Sequence, residues 1–480
     1  MKDKLGFGAF NIPARLAIGC SLAIPEPPEP ASGEPGAPMR GENLFGTGPD
    51  LAAWVSLLIE HAGRPPEGMA EFQAWVRAHW TRGMRQLRAR LDEADGDIFQ
   101  FWHRLAGSAL PVGEGDAGPI PRPEGGRPLD AVALRLPIGE VATDIATGEV
   151  VTWALNGPGG SPHAAFMGGV GSGKTRTAAF MLRELRSRTP VPLLAFDFKG
   201  DLADERNRLH EAFAATVLEP PHDPVPLDVL ALADHAPAAV TLAAQRLRDS
   251  LATLNGSAFG AVQRGLLGDA AERALGSHTP CRLADVLAAL RHLYADKGRK
   301  EDGAVTTLAD LCRLPLFEPD LAPAEFFARS WIIRLSADLP ELVKVAIVTL
   351  ASDALDRWLN GLPDAPTDAA ANRALRVVCV IDEARRILGT RLPGLSGLVW
   401  LSRSKGGCVV LISQSPDDFS GEDDEFLNEM GLVVALRTNA EARSVRRILG
   451  GAAQLAALET GEAWVKPGGE PHPRRVAVWR

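Results

Sequence analysis

Between residues 130 and 440, short apolar segments alternate with longer amphipathic ones. Six of the short segments are AAFM, LLAFDF, WIIRLS, VVCVIDE, VVLISQ and LVVALR. Such segments, separated by helical ones, are typical of a mostly parallel sheet covered by helices on both faces. Ahead of them, AVALRLPIGEVATD and GEVVTWAL predict a further pair of strands. The pattern therefore predicts an α/β core.

Two regions depart from this alternation. In residues 203–328 we expect only amphipathic helices and no strand, which indicates an all-helical subdomain inserted into the core. In residues 1–110, DLAAWVSLLIEHAG and MAEFQAWVRAHWTRGMRQLRARL have helical apolar spacing and predict a small helical N-terminal domain. A Pro/Gly-rich linker, residues 111–129, is predicted to precede the core, which consists of residues 130–202 and 329–480.

Composition narrows the functional classes only slightly. The chain of 480 residues is 46% hydrophobic and 23% charged, which is ordinary for a globular protein. A net charge of −9 argues against a generally basic surface for nucleic acid but leaves room for a local basic channel. The five cysteines are scattered and form no C-x-x-C pair, and no segment approaches the roughly 18 apolar residues of a membrane span. We therefore expect a cytoplasmic protein without membrane contact.

The stretch HAAFMGGVGSGKTRTAAF, residues 163–180, places a glycine-rich loop between a predicted strand and a predicted helix. It fits the phosphate-binding pattern G-x-x-x-x-G-K-[ST]. Glycines let backbone amides approach a polyphosphate, and the N-terminus of the following helix favours the same anion. The pattern predicts ATP and Mg²⁺ as cofactors, with Lys174 near the β- and γ-phosphates and the Thr175 hydroxyl on the metal. The predicted nucleotide-binding residues are Gly168, Gly169, Val170, Gly171, Ser172, Gly173, Lys174, Thr175 and Arg176.

Polar residues end two of the later strands. VVCVIDE ends in Asp382 and Glu383, and an acidic residue at the carboxyl end of a parallel strand emerges beside such a loop. Asp382 is predicted to hold Mg²⁺ through water, and Glu383 to act as general base toward the attacking water. VVLISQ ends in Ser413 and Gln414, for which we consider two interpretations. Gln414 senses the terminal phosphate or aligns water, or the strand end is a helix-capping turn.

Residues 135–480 resemble the HerA/FtsK superfamily of ring-forming ATPases. The matching stretches, in family order, are HAAFMGGVGSGKT, AFDFKGDL, IIRLSADLPELVKVAIVTL, VIDEA, SRSKGGCVVLISQSP and VVALRTNAEARSVRRILG. The spacing of Arg403, Gly406 and Gln414 belongs to the resemblance. It implies a RecA-like P-loop ATPase core, with Arg403 acting as a finger at the nucleotide of the next subunit. Arg437 matches a second catalytic arginine of the family.

The resemblance also implies a partner and an assembly: a hexameric homo-oligomer that pulls double-stranded DNA through a central pore. Two features depart from the family. The front of the chain lacks a β-barrel of the length found in HerA proteins, and no strongly basic pore loop stands out. DKGRKEDG, residues 296–303, is one candidate for that loop, and a solvated surface loop is the alternative.

The first 65 residues resemble DndE, the small helical protein of DNA phosphorothioation systems. The resemblance lies in FNIPARLAIGCSLAIPEPPEP followed by GENLFGTGPDLAAWVSLLIEHAG. It implies a DNA-associated module fused to a DNA motor, with other DNA-modification or nuclease subunits as partners. A helical domain that only caps the ring is the alternative.

Three functional hypotheses follow. The first is an ATP-hydrolysing DNA translocase of a sulfur-modification or linked defence system. The second is a conjugative coupling ATPase, which would also place a helical domain in residues 203–328 but predicts an N-terminal membrane anchor that we do not find. The third is an ATP-dependent assembly switch that does not translocate, against which Asp382, Glu383 and Arg403 argue.

Overall fold

The structure is a computed structural model that describes residues 11–28, 44–45, 49–93, 131–142, 148–254, 259–390, 392–419, 424–450 and 453–478. The chain divides into two compact units, Met1–Arg122 and Pro123–Arg480, which we describe separately. The predicted linker, residues 111–129, lies outside the described residues. The predicted domain limits therefore stay predictions.

The first unit contains three described helices: α1 (Asn11–Leu22), α2 (Pro49–Ala62) and α3 (Met69–Glu93). Helices α2 and α3 coincide with the two helical patterns of the sequence. Helices α1 and α3 cross closely at Gly83, where a Cβ would lie 1.7 Å from the carbonyl oxygen of Ala17. Near this crossing, Arg82 Nε donates to Ser21 Oγ at 2.8 Å, and the same oxygen lies 3.1 Å from His79 Nδ1.

The second unit is built on an eleven-stranded sheet with the order β2-β1-β13-β12-β11-β3-β10-β9-β4-β8-β5, and β6 and β7 form a separate pair. In chain order the strands are β1 (Arg135–Val141), β2 (Val150–Ala154), β3 (His163–Met167), β4 (Leu193–Asp197), β5 (Thr216–Leu218), β6 (Val225–Leu227), β7 (Phe317–Leu321), β8 (Trp331–Arg334), β9 (Val377–Ile381), β10 (Gly407–Ser413), β11 (Met430–Leu436), β12 (Glu462–Pro467) and β13 (Arg474–Val478). The seven strands from β11 to β5 are parallel to one another. The other four add an antiparallel edge.

The six predicted core strands are β3, β4, β8, β9, β10 and β11. All residues of β3, β4, β9, β10 and β11 are buried, which explains why their sequences show no polar alternation. One face of the sheet packs in a core with Ala178 and Leu182, and the other in a core with Ile347 and Leu355. The prediction of a mostly parallel sheet covered on both faces is confirmed.

The second unit has eleven described helices. They are α4 (Lys174–Arg188), α5 (Leu209–Phe213), α6 (Pro237–Thr253), α7 (Ala261–Ser277), α8 (Leu283–Asp296), α9 (Gly303–Cys312), α10 (Pro323–Phe327), α11 (Glu341–Asn360), α12 (Pro393–Leu401), α13 (Asp424–Asn428) and α14 (Ala442–Leu449). None of the helices in the described ranges combines the length and apolar character needed to cross a bilayer.

The expectation of no strand in residues 203–328 needs correction. Helices α5 to α10 dominate this interval, but it also contains β5, β6 and β7. Strand β5 has three residues and adds to the edge of the main sheet beside β8, while β6 and β7 pair with each other. β5 and β6 are too short to show a period of two, and the five residues of β7 are mostly half-buried.

Candidate nucleotide-hydrolysis site

The glycine-rich loop, residues 168–173, joins β3 to α4 at the carboxyl edge of the parallel sheet. Both neighbouring strands hold its first residues. The amide of Gly168 donates to the carbonyl of Ser413 at the end of β10, at 3.2 Å. The amide of Gly169 donates to the carbonyl of Arg437 just after β11, at 2.9 Å. The loop therefore has a fixed position between β10 and β11.

Two different physical requirements explain the glycines of the loop. Gly171 and Gly173 have φ values of +74° and +97°, in the left-handed region that side chains rarely adopt. At Gly168 space is the limit instead, because a Cβ there would lie 2.4 Å from the hydroxyl of Ser172. Space therefore requires glycine at Gly168, and the backbone conformation favours it at Gly171 and Gly173.

Six amides of the loop and the first turn of α4 donate to no acceptor in the described part of the chain. They belong to Val170, Gly171, Gly173, Lys174, Thr175 and Arg176. Such amides at a helix N-terminus form a site for an anion, since the helix dipole and the free donors act together. This is the arrangement that a bound polyphosphate requires.

The side chains of the loop divide into those inside the site and those outside it. Lys174 and Thr175 are buried, whereas Val170 is 84% exposed and Arg176 is also exposed. Burial lowers the pKa of Lys174 and the charge of Lys199 adds to this, while Asp382 and Glu383 oppose it. Lys174 therefore lies near both carboxylates before any ligand binds.

Asp382 follows β9 and is only 1% exposed. Neither of its carboxylate oxygens accepts a hydrogen bond from any described residue, and the buried hydroxyl of Ser172 is unpartnered in the same sense. Burial raises the pKa of Asp382 to about 7, and the negative charges of Asp197 and Glu383 contribute. Free oxygens on a buried carboxylate fit a magnesium site.

Within the described ranges no three His, Cys, Asp or Glu side chains come together as a metal site. A cation at Asp382 would therefore need further oxygen ligands. The Thr175 hydroxyl and a phosphate are the available kinds, as in other phosphate-bound magnesium sites.

Glu383 is fully buried, and its backbone has a φ of +48°, which is strained for a residue with a side chain. Its carboxylate forms an ion pair with Lys199 and a longer one with Arg385 Nε, at 3.1 Å. The side-chain amide nitrogen of Gln414, Nε2, donates to both carboxylate oxygens of Glu383, at 2.9 and 3.2 Å. Burial opposes the charge of Glu383, but the hydrogen bonds from Lys199 and Gln414 outweigh it and lower the pKa.

Lys199 is positioned by the loop that follows β4. Asp197 ends that strand and accepts the backbone amides of Lys199, Gly200 and Ala203 at 3.2, 2.8 and 2.8 Å. These bonds fold the loop around a buried carboxylate, whose burial raises its pKa. The turn brings Lys199 toward the neighbouring strand β9 and Glu383.

The end of β10 is fixed by Asp418. One oxygen of its carboxylate accepts the hydroxyl of Ser413 at 2.6 Å and the amides of Gln414 and Ser415, both at 2.9 Å. The alternative of a turn at this strand end therefore applies to Ser413, whose hydroxyl is hydrogen-bonded to Asp418. The Gln414 side chain remains in the site, where it contacts Glu383.

The two predicted arginines lie at opposite edges of the sheet. Arg403 precedes β10, at the amino edge, and lies near enough to His163 at the start of β3 to affect the pKa of that histidine. Strand β10 has seven residues, or about 20 Å at ~3.3 Å per residue, so Arg403 is remote from its own loop. Arg437 directly follows β11, beside Gly169 at the carboxyl edge. Both side chains are exposed.

No protein-family model and no curated protein matches the chain. Solved structures do. VirB4 of Thermoanaerobacter pseudethanolicus matches with a TM-score of 0.56 and 14% identity, over 72% of this chain and 96% of that chain. The conjugative coupling protein TrwBdeltaN70, unbound, gives a TM-score of 0.48 and 15% identity, over 74% and 95%. The cytoplasmic domain of the Thermomonospora curvata type VII secretion ATPase EccC gives 0.32 and 16%, over 75% and 29%.

The fold is that of a RecA-like P-loop ATPase. The match to VirB4 and the eleven-stranded sheet carry this conclusion. The resemblance to DndE is not supported by any of the matched structures, and part of the stretch that carries it, residues 29–43, lies outside the described residues.

Sequence reasoning did not find every residue of the site. The ion pair of Lys199 with Glu383, the contact of Arg385 and the bonds of Asp418 were not predicted. One signal was available for Lys199. Like Glu383, it lies two residues after the last residue of a core strand, and parallel strands bring such positions to one edge.

Proposed function

We propose that the chain is an ATP-hydrolysing motor that acts on double-stranded DNA as a homo-oligomeric ring. One observation supports hydrolysis: six free amides lie at the same sheet edge as an unpartnered Asp382 and an ionised Glu383. Binding alone would not need a buried, charged carboxylate held in place by Lys199 and Gln414. The ring and the DNA rest on the family resemblance.

In the proposed reaction the loop amides and Lys174 hold the β- and γ-phosphates. Thr175 and Asp382 would hold Mg²⁺, which would neutralise phosphate charge when bound. Glu383 accepts a proton from the attacking water, and Gln414 keeps the carboxylate aimed at it.

Arginines would supply further positive charge to stabilise the transferring phosphate. We propose that Arg403 stabilises the transferring phosphate at the nucleotide of a neighbouring protomer, because it lies at the opposite edge from its own loop. Arg437 lies at the loop of its own protomer, where it could contact the same phosphates.

The test is the rate of ATP hydrolysis with and without duplex DNA, measured across protein concentration. A motor predicts stimulation by DNA and a specific rate that rises as protomers assemble. Lys174→Ala should abolish nucleotide binding, and Glu383→Gln should abolish hydrolysis while ATP still binds. Hydrolysis that responds to neither DNA nor protein concentration would support the assembly switch instead.

A conjugative coupling-type ATPase is the more specific proposal. The fold shared with VirB4 and the largely helical insertion in residues 203–328 favour it. The comparisons give no support to a role in DNA sulfur modification, which is not part of the proposal. A coupling ATPase predicts DNA transfer between cells that fails in the Glu383→Gln strain, while modification or defence phenotypes stay unchanged.

A further inference from the structure

Arg403 lies in a short turn that is held from two sides. On the later side, Gly406 accepts the amide of Arg376, just before β9, at 2.7 Å. On the earlier side the turn continues directly from helix α12, and the buried hydroxyl of Ser402 donates to the carbonyl of Leu398 within that helix. The position of α12 therefore sets one end of the turn that carries Arg403.

Helix α12 packs directly on two carboxylates of α11. A Cβ on Gly394 would lie 2.3 Å from Asp353 Oδ1, and a Cβ on Gly397 would lie 2.4 Å from Asp356 Oδ1. In each helix the two residues are three positions apart, so each pair lies on one helix face. Gly394 is in the first turn of α12, where the free amides and the helix dipole favour a carboxylate.

The insertion, residues 203–328, contacts the other oxygen of each carboxylate. Ser250 of α6 is fully buried and donates its hydroxyl to Asp353 Oδ2. Arg246, four residues earlier on α6, has Nη1 3.6 Å from Asp356 Oδ2. The two aspartates therefore join α6 of the insertion to α12 across α11.

The contacts of Asp353 are polar although it lies between three helices. Burial raises the pKa of Asp353 to about 6, while Ser250, Arg357 and the amide of Gly394 favour its charged form. The guanidinium of Arg357 also donates to the carbonyl of Val229 in the insertion. Apolar side chains at such places often stabilise a fold equally well. Hydrogen bonds differ from them in having a preferred direction, so they fix one placement of α12 against α6.

We propose that Asp353 is a positioning residue for Arg403. It holds the first turn of α12 to the insertion, and the far end of the helix presents Arg403 to the nucleotide of the neighbouring protomer. Asp353 acts through the helix, because Gly394 and Arg403 are nine residues apart, or about 13 Å along a helix. The proposal rests on the trans role of Arg403 in the proposed function. It adds a role for the insertion, because a displacement of α6 would move the arginine.

The rate of DNA-stimulated ATP hydrolysis by the full-length chain tests the positioning role. Asp353→Ala removes both acceptor oxygens and should lower the rate by about tenfold or more, since a displacement of ~1 Å at a reacting group can cost a hundredfold. Ser250→Ala should lower it from the insertion side, and Asp353→Asn, which keeps one acceptor, should retain more of it. The KM for ATP should not change. Asp249→Ala is the control, because this neighbour on α6 is 47% exposed, and it should match the wild type.

Mixtures of variants separate a misplaced arginine from a damaged site. Asp353→Ala mixed with Glu383→Gln should recover hydrolysis above the sum of the two, because the first keeps its own site and the second keeps a placed Arg403. Asp353→Ala mixed with Arg403→Ala should not recover. The reverse pattern would overturn the proposal, since Asp353 would then support the site of its own protomer. Wild-type hydrolysis in Asp353→Ala, or no recovery in either mixture, would overturn it as well.

A reference mixture of Arg403→Ala with Glu383→Gln distinguishes this proposal from the proposed function. If the reference mixture stays inactive, the trans role of Arg403 fails, and the positioning role with it. If it recovers while Asp353→Ala with Glu383→Gln does not, only the role of Asp353 is wrong. Thermal unfolding checks that Asp353→Ala folds, and if it does not, Asp353→Asn and Ser250→Ala take its place in the same mixtures.

Discussion

Lys199 and Glu383 form an ion pair in which the carboxylate is fully buried and the ammonium side chain is one-third exposed. They follow the neighbouring strands β4 and β9, so the pair joins two loops at the carboxyl edge of the sheet. A buried carboxylate stays charged only with partners, and Gln414 and Arg385 supply the others. The pair therefore keeps the proposed general base ionised and fixed.

Replacing Lys199 tests this relationship. In Lys199→Met the hydrolysis rate at saturating ATP should fall by about tenfold or more, because a hydrogen bond to a charged group contributes ~1.5–3 kcal/mol. Affinity for a non-hydrolysable ATP analogue should stay unchanged, since the loop amides and Lys174 remain. Lys199→Arg keeps the charge and should retain most of the rate. Wild-type hydrolysis in Lys199→Met would contradict the positioning role.

Two glycines of the loop should respond differently to alanine. At Gly168 a Cβ would meet Ser172 and would lie 3.0 Å from Leu436, so Gly168→Ala should displace the loop and abolish nucleotide binding. At Gly171 no described atom lies within 4 Å, and only the backbone is strained. Gly171→Ala should therefore cost about 1–2 kcal/mol and weaken binding by at most ~30-fold.

Calorimetry with magnesium ATP measures both variants. Gly265→Ala is a matched control, because Gly265 lies in helix α7 with open space around it and alanine favours helix. It should bind ATP as the wild type does. Equal losses at Gly168 and Gly171 would show that space at Gly168 is not the deciding factor.

The core strands could be predicted from the sequence because they are buried on both faces and read as continuous apolar segments. Strands β12 and β13 alternate between buried and partly exposed residues, a period of two that is itself a strand signal but one that a criterion of continuous apolar segments does not detect. Strands β5 and β6, with three residues each, have no period to detect. Short length therefore hid β5 and β6, whereas β12 and β13 carried a signal of a different kind from that of the core strands.

The site residues also divide into those that the sequence could predict and those that it could not. The loop around Lys174 and the pair of Asp382 and Glu383 are local patterns, which one sequence can show. The contact of Lys199 with Glu383 depends on β4 being the neighbour of β9, which the chain order does not give. The distance of Arg403 from its own loop depends likewise on the direction of β10.

The burial of His163 predicts that the folded chain loses stability as the pH falls. It is buried at the start of β3, where Nδ1 accepts the amide of Val409 at 3.0 Å. Burial, with the charge of Arg403 adding, lowers the pKa of His163 to about 4. The unfolded chain, with a histidine pKa of ~6.5, then binds more protons between these values. Stability should therefore fall as pH falls from ~6.5 to 4, by about 3 kcal/mol from this residue.

His163→Asn keeps an acceptor near Nδ1 but removes the titration. Denaturant unfolding at pH 7.5, 5.5 and 4.5 should show a smaller loss of stability on acidification than in the wild type. His292→Asn is the control, because that side chain is 71% exposed. The interpretation is wrong if His163→Asn and the wild type lose stability in parallel.

Arg403 lies at the amino edge of the sheet, so any action at a nucleotide must be in trans. Arg403→Ala and Glu383→Gln should each abolish DNA-stimulated hydrolysis when present alone. In an equal mixture, some interfaces join an intact Glu383 in one protomer to an intact Arg403 in the next. With random assembly these are about a quarter of all interfaces, because a head-to-tail ring pairs two different surfaces.

The mixture should therefore recover hydrolysis that neither variant shows, in proportion to those interfaces. Arg313→Ala controls for the general loss of an arginine, since its side chain is 77% exposed in the helical insertion, and it should remain active. A mixture as inactive as its components would mean that Arg403 does not complete a neighbour's site. Recovery that persists at dilutions where the protomers are separate would contradict the trans geometry, because a lone protomer keeps Arg403 about 20 Å from its own loop.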